Sequence, residues 1–410
     1  MINKKKVIND PVWGFVNIPT DLIFEVIQHP YFQRLRRIRQ LGLTEMVYPG
    51  AIHTRFHHAL GAMHLMTEAL KSLQSKGHTI SAEEFEGAQL AILLHDIGHG
   101  PLSHALEYSL LSNIKHEELS KFIMESLNKE FDNKLNLAIS IFTNTYHRPF
   151  LHQLVSSQLD MDRMDYLSRD SFFTGVSEGT IGADRLIKML DLYKDELIVE
   201  EKGIYSIENF LTARRLMYWQ VYLHKTTVSA ENMIVSIIRR SKYLIRKNEL
   251  HFKPPYLSIF LETEISFEQL IEKDDLLSAF LKLDDIDLWF ALKQWSKEDD
   301  YILSTICTML LNRKLFSVQI QPNSFSLAQK EQYKKQLLDS MPISENDLDY
   351  FLLSGTISNA AYLPEDAQIK VKMKNKEILD VAYASDLPNI QALSKIVTKH
   401  YICCPKNVYL

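Results

Sequence analysis

Glycine and proline are scarce in this chain, thirteen of each in 410 residues. That disfavours repeat-rich β architectures and long flexible linkers, which rely on those residues at turns and joints. Cysteine is rarer still: Cys307 and the adjacent Cys403 and Cys404 form neither a disulfide framework nor a zinc-finger spacing. A reducing cytoplasm is the expected home. No apolar run approaches the roughly 18 residues needed to span a bilayer. The basic start "MINKKKVIND" lacks the apolar segment of a secretory signal. Excess positive charge is missing too, and a formal net charge of -5 does not suggest a surface coated for nucleic acid. No low-complexity segment or internal repeat is found.

What remains is an ordinary globular composition, 46% hydrophobic and 24% charged, in a chain long enough to bury a sizeable core and shape a deep cleft. Helical periodicity dominates. The stretch "PTDLIFEVIQHPYFQRLRRIRQLG" reads as two short helices parted at His29-Pro30, the second closed by Gly42. Within it "QRLRRIRQ" carries four arginines in eight positions, either a solvated or subunit-facing helix surface or a set of phosphate contacts. Residues 56–77 form a helix with Leu60, Met63, Met66, Leu70 and Leu73 on one face and a stop at Gly77. Residues 81–98 open with Ser81 and Glu84 in capping-box relation, turn wholly apolar and end at Gly98. Further helices are expected at 116–130, 132–145, 150–169, 264–280 and 285–313, and a single long one at 206–248, which lacks Gly and Pro. In the tail, "AQIKVKMKNKEILDVA" alternates around Lys-Asn-Lys and predicts a hairpin. The expected organisation is an α-helical body over 1–315 and a small α+β C-terminal lobe over 316–410.

Chemistry gathers in three places. His95 and Asp96 end the apolar helix, where an ionised Asp without a partner would cost several kcal/mol. A divalent cation removes that cost, and imidazole with carboxylate is a sound ligand set for a borderline metal. Upstream, "TRFHHALG" supplies His57 and His58. Downstream, "LDMDRMDYLSRD" places Asp160, Asp162, Asp165 and Asp170 among apolar residues, so some of these acids must point inward and need a metal or an arginine.

In this helical context the order H…HD…D resembles the HD-domain metal-dependent phosphohydrolases. The likeness is strongest to the deoxynucleoside triphosphate triphosphohydrolase branch, which includes the vertebrate enzyme with a sterile alpha motif beside its HD domain. It is carried by "INDPVWGFV", "FQRLRRIRQLG", "YPGAIHTRFHHALG", "LLHDIGHGPLSH", "KHEE", "MDRMDYLSRD" and "ARRLMYWQVYLHK". These extend over about residues 7 to 225, with the core motifs in 40–225. The resemblance implies a mainly α fold of HD type and a divalent metal ion (Fe, Mn, Zn, Co, Ni or Mg) held by His58, His95, Asp96 and Asp162. His57 is left a supporting or packing role.

By the same resemblance, His99, His104, His116 and Glu117 handle phosphates and protons, with His104 as general acid tuned by Glu107. Arg55, Arg163, Arg214 and Lys225 would contact phosphates, while Gln40, Tyr166 and Asp170 would read the 3′-hydroxyl. Tyr222 would crowd the 2′ position. The implied reaction is hydrolysis of a deoxynucleoside triphosphate to deoxynucleoside and inorganic triphosphate by water attack at the α-phosphate. The implied assembly is a cytoplasmic homo-oligomer, dimer or tetramer, with a nucleotide activator between subunits and no membrane. Two departures limit the transfer. Gln28 stands where guanine-activated relatives have an acid, although Val7 and Arg36 match, and "LMYWQVYL" with Leu223 replaces the family's base-side residues. Neither guanine activation nor base preference is therefore implied. The alternatives are an HD-domain nucleotidase or phosphodiesterase acting on another nucleotide, or a non-catalytic nucleotide sensor or nucleic-acid-binding scaffold.

Overall fold

The computed structural model describes residues 6–102, 110–111, 114–359, 361–362, 368–386, 390, 393 and 395–406. Two strands come first, β1 (Lys6–Asp10) and β2 (Gly14–Ile18), antiparallel around the turn from Asp10 to Gly14. Helices α1 (Arg55–Ser75), α2 (Ala82–Leu94), α3 (His116–Glu130), α4 (Met161–Thr174), α5 (Ile204–Met217), α6 (Lys225–Arg246) and α7 (Asp285–Trp295) dominate the body, with shorter helices between them. The other strands are β3 (Leu190–Tyr193), β4 (Glu196–Glu200), β5 (Ser317–Gln321), β6 (Leu353–Asn359), β7 (Lys370–Lys372), β8 (Ile378–Asp380) and β9 (Val397–Cys404). The molecule is mainly α. Among the described residues no helix is long and apolar enough to cross a membrane.

Capping follows the sequence closely. The Ser81 hydroxyl accepts from the Glu84 amide at 3.1 Å and Glu84 accepts from the Ser81 amide at 2.9 Å, so α2 begins with its first orphan N–H groups satisfied. From Gly87 to Leu94 every residue of α2 is buried, because the helix packs on α1 and on Asn136–Phe142 and Pro149–Val155. Leu90, Ile92, Leu93 and Leu94, at roughly 1.5–3 kcal/mol each on full burial, anchor a helix whose next two residues are His95 and Asp96. The apolar stripe of α1 is buried as expected, and α1 also packs on α4. Asp160 caps α4 by accepting from the Arg163 amide at 2.7 Å, and the helix ends at left-handed Gly175.

Several predicted helices are shorter or divided. The 206–248 segment is not one helix. After α5 a single wide π turn runs over Tyr218–Tyr222, closed by the Leu223 amide on the Tyr218 carbonyl at 2.8 Å. His224 is then extended and caps α6 through the Thr226 amide. The expected 150–169 helix divides into Pro149–Val155 and α4 because Asp160 caps the second part. The 285–313 helix divides into α7 and Tyr301–Leu311, capped by Asp300. The 264–280 helix breaks at extended Lys273 into Phe267–Glu272 and Asp274–Phe280. The 132–145 helix shrinks to Asn136–Phe142, flanked by Asp132, Asn133 and Asn144 at positive φ. The helix before Gly42 ends early: Pro30–Gln33 passes into a 3-10 turn over Arg34–Arg37. The basic run there is divided between core and surface, with Arg36 and Arg37 exposed and Arg39 half-buried. Arg34 is fully buried and donates to the Leu283 carbonyl at 2.6 Å, and Arg37 pairs with Asp284.

The tail hairpin is present, with β7 and β8 antiparallel and Lys370 opposite Asp380. β7 also runs parallel to β4, Val199 opposite Val371, giving a sheet of order β3-β4-β7-β8. A second sheet, β5-β9-β6, closes the C-terminal part.

Candidate metal centre and adjoining cleft

Three elements deliver the central donors: His58 from the first turn of α1, His95 and Asp96 from the end of α2, and Asp162 from the first turn of α4. The His58 Nε2 lies 3.1 Å from Asp162 Oδ1, 3.4 Å from His95 Nε2 and 3.7 Å from Asp96 Oδ2. The His95 Nε2 lies 3.4 Å from Asp96 Oδ1 and 3.5 Å from Asp162 Oδ1. The other nitrogen of each ring is engaged elsewhere, His58 Nδ1 by Asp165 at 2.8 Å and His95 Nδ1 by the Ile92 carbonyl at 2.6 Å. Both acceptors assign the proton to Nδ1 and leave the Nε2 lone pairs turned inward, toward two carboxylates. Lone pairs converging in a buried place repel one another unless a cation lies between them, so the donor set fits a borderline divalent metal.

The electrostatics agree. Burial pulls His58 down, but the Asp162 and Asp165 carboxylates outweigh it and hold the ring up to about 10. Burial would raise Asp162, yet hydrogen bonds with His58 and His95 keep it far below the usual carboxylate range. A site with that affinity for positive charge accepts a metal in place of protons.

Asp96 also faces a second group. Its Oδ1 is 3.2 Å from His99 Nε2, the His99 and His116 rings stack with centroids 4.0 Å apart, and Arg55 pairs with Oδ2. Burial and the Arg55 guanidinium push His99 well below the usual imidazole range, so it is neutral near pH 7. Exposed Glu117 lies 3.4 Å from His116. Gly98, His99, Gly100, His116 and Phe280 help line a small pocket of about 30 Å³. His104 and Glu107 lie outside the described residues.

On the far side of Asp162 the α4–α5 junction gathers the remaining groups. Arg163 Nη1 is 2.8 Å from Asp160 and 3.9 Å from Asp162, and Arg214 donates to Gln158 at 2.9 Å. The Nε atoms of Arg163 and Arg214 are buried and unpaired. The Tyr166 hydroxyl feels burial and Tyr218, which raise its pKa, and Arg163 and Arg214, which oppose them. The Tyr222 hydroxyl donates to Asp170 at 2.8 Å, and its ring meets Tyr166 edge-on. The structure therefore brings Arg163, Arg214 and Tyr166 near Asp162, while Tyr222 and Asp170 meet Tyr166 from further along α4. Lys225 is exposed on the first turn of α6. Gln40 reaches the group through its amide on the His53 carbonyl at 3.0 Å, with a buried, unpaired Oε1.

Sequence reasoning missed His53, whose Nε2 is 2.7 Å from Asp170 beneath Phe173. It also gave Asp165 no role, although it assigned Asp162 and Asp170 from the same segment. Only the i,i+4 spacing of Asp165 to Arg169 hinted at a partner, and Arg169 does bond it at 2.9 Å. His57 packs by capping α1, its Nδ1 accepting from the Thr54 amide at 3.2 Å.

Known proteins share this chain's sequence and fold. The HD domain model matches residues 55–170, and the HD associated region matches 181–253. A solved phosphohydrolase from Bacteroides thetaiotaomicron is 49% identical with a TM-score of 0.95, covering 98% of this chain and 100% of that one. Uncharacterized protein YwfO of Bacillus subtilis is 30% identical across 99% of this chain and 94% of its own length. The deoxynucleoside triphosphate triphosphohydrolase SAMHD1 homolog of Dictyostelium discoideum is 32% identical across 59% of this chain and 50% of its own. By these likenesses the chain belongs to the HD-domain metal-dependent phosphohydrolases, on the branch that contains the deoxynucleoside triphosphate triphosphohydrolases.

Proposed function

We propose that this hydrolase converts deoxynucleoside triphosphates to deoxynucleoside and inorganic triphosphate. The observation that carries the reading is the set of groups around Tyr166. Asp162 faces His58 and His95, where a cation would be held; Arg163 and Arg214 would offer their charge to phosphate, and Tyr222 with Asp170 would close the sugar side. Groups suited to metal, phosphate and sugar would thus border one side chain.

His58, His95, Asp96 and Asp162 would hold the cation, which supplies Lewis acidity and lowers the pKa of the attacking water. Arg163 and Arg214 present forked donors to the triphosphate, and their unpaired Nε atoms are satisfied by phosphate oxygens. Water attacks the α-phosphorus while the bond to O5′ breaks. The proton lost by the water balances the one gained at O5′, delivered by His104 as general acid. Neutral His99, stacked on His116, accepts or relays protons at this edge. Asp170, fixed by His53 and Tyr222, accepts from the 3′-hydroxyl, and the Tyr222 ring occupies the space a 2′-hydroxyl needs.

The test supplies Mn(II)-loaded protein with dATP, dGTP, dCTP, dTTP and GTP and separates the products. Inorganic triphosphate from the deoxy substrates is expected. Products confined to monophosphate or pyrophosphate, or equal turnover of GTP, would overturn the proposal.

A further inference from the structure

The N-terminal turn reaches His58 through a continuous chain of buried and part-buried polar contacts. Asp165, which holds His58 Nδ1, is fully buried and takes three more donors. Arg169 Nε bonds Oδ2 at 2.9 Å, Arg169 Nη2 bonds Oδ1 at 2.9 Å, and the Trp13 indole N–H bonds Oδ1 at 2.5 Å. Arg169 is gripped from its other side by Asp10, with Nη1 to Oδ2 at 2.8 Å and Nη2 to Oδ1 at 3.2 Å. Asp10 Oδ1 in turn accepts from the Val12 and Trp13 amides, each at 2.9 Å, which fixes the turn itself. The Trp13 ring stacks on His64 of α1. No slack is left on the helix side: a Cβ at Gly61 would lie 2.0 Å from Asp165 Oδ1 and 2.1 Å from Arg169 Nη2.

A buried carboxylate with every lone-pair direction occupied has its oxygens fixed in space, and so fixes the imidazole that bonds it. Two of the five side chains in this network, Asp10 and Trp13, come from a turn far from α1 and α4 in sequence. We propose that the turn from Asp10 to Gly14 is part of the metal centre, with Trp13 and Asp10 as positioning residues acting through Asp165 on His58. This rests on the role given to His58 above.

The test titrates the full metal-free chain with Mn(II), following free Mn(II) by its resonance signal. Trp13→Phe removes the N–H but keeps a ring on His64, whereas His64→Leu removes the ring contact and keeps the N–H. Loss of an outer-sphere partner typically costs 10- to 100-fold in metal affinity. Trp13→Phe is therefore expected to weaken Mn(II) binding about 10- to 100-fold, with the metal-free melting temperature lowered by no more than a few degrees. His64→Leu is expected to bind as the parent does. By reciprocity, Mn(II) should slow hydrogen exchange at the Val12 and Trp13 amides. Unaltered affinity in Trp13→Phe, equal weakening in both variants, or exchange indifferent to Mn(II) would each overturn the inference. A parent chain that binds Mn(II) but releases no triphosphate from dNTPs overturns only the proposed function.

Discussion

Asp162 occupies the second position of α4, where a helix N-terminus favours a carboxylate by roughly 0.3–1 kcal/mol, and the two imidazoles lie within 3.5 Å of its Oδ1. The cap of α4 is a separate residue, Asp160. Asp162→Ala is therefore expected to abolish bound metal and turnover together while helix content is preserved, as metal analysis and circular dichroism would show. Retained stoichiometric metal would exclude Asp162 as a ligand. Gly61 makes the opposite kind of demand, since a single methyl there collides with a buried ion pair on both sides. Overpacking of this type costs about 1–3 kcal/mol and sometimes more, so Gly61→Ala should lower the melting temperature by several degrees and weaken metal binding as well. A variant that melts and binds metal like the parent would show that the Asp165–Arg169 pair can move aside.

Helix boundaries are the next level, and side-chain caps decide them here more often than glycine or proline. Ser81 and Glu84 start α2, the helix that carries His95 and Asp96 at its end. Removing the Ser81 hydroxyl should cost about 1 kcal/mol, measurable as a lower urea midpoint at unchanged slope. Glu84 is also bonded by Arg148 and Tyr146. Burial raises its pKa, but the Ser81 amide and Arg148 outweigh it and bring it below the usual glutamate range. A depressed folded-state pKa contributes stability above the unfolded value, and that contribution is lost as pH falls through the folded one. The stability gap between parent and Glu84→Gln should thus hold steady from pH 6 to 8 and shrink below about pH 4. A gap that widened in acid would refute the sign.

At the scale of the whole chain, we propose a change of architecture near residue 315, beyond which the strands β5 to β9 are joined by the helix Leu327–Ser340 and shorter turns. Contacts across that point are substantial. β4 pairs with β7, the Ser229 hydroxyl of α6 donates to the Phe316 carbonyl at 2.6 Å, and Arg240 of α6 lies 3.6 Å from Asp347. Cys403 and Cys404 are buried in β9 between β5 and β6. A fragment ending at residue 315 would expose the β4 edge and one side of α6. It is expected to melt well below the full chain or to aggregate; a fragment of parent-like melting temperature would show two independent folding units.

The sequence by itself determined the mainly helical class, the start of α2, the apolar stripe of α1, the tail hairpin and the ligand candidates. Each of these is written in local periodicity, in a cap four residues long, or in a residue type whose burial needs a partner. Tertiary structure decided where the chain breaks at Asp160, His224 and Asp300, because a cap competes with helix continuation only through its surroundings. It decided that Arg34 belongs to the core, that His53 lies on Asp170, and that α5 and α6 part at a π turn placing Tyr222 on Asp170. It alone joined Asp10 and Trp13 to Asp165, across more than 150 residues. Hydrogen bonds act over about 3 Å of space, and that proximity is set by packing rather than by order along the chain.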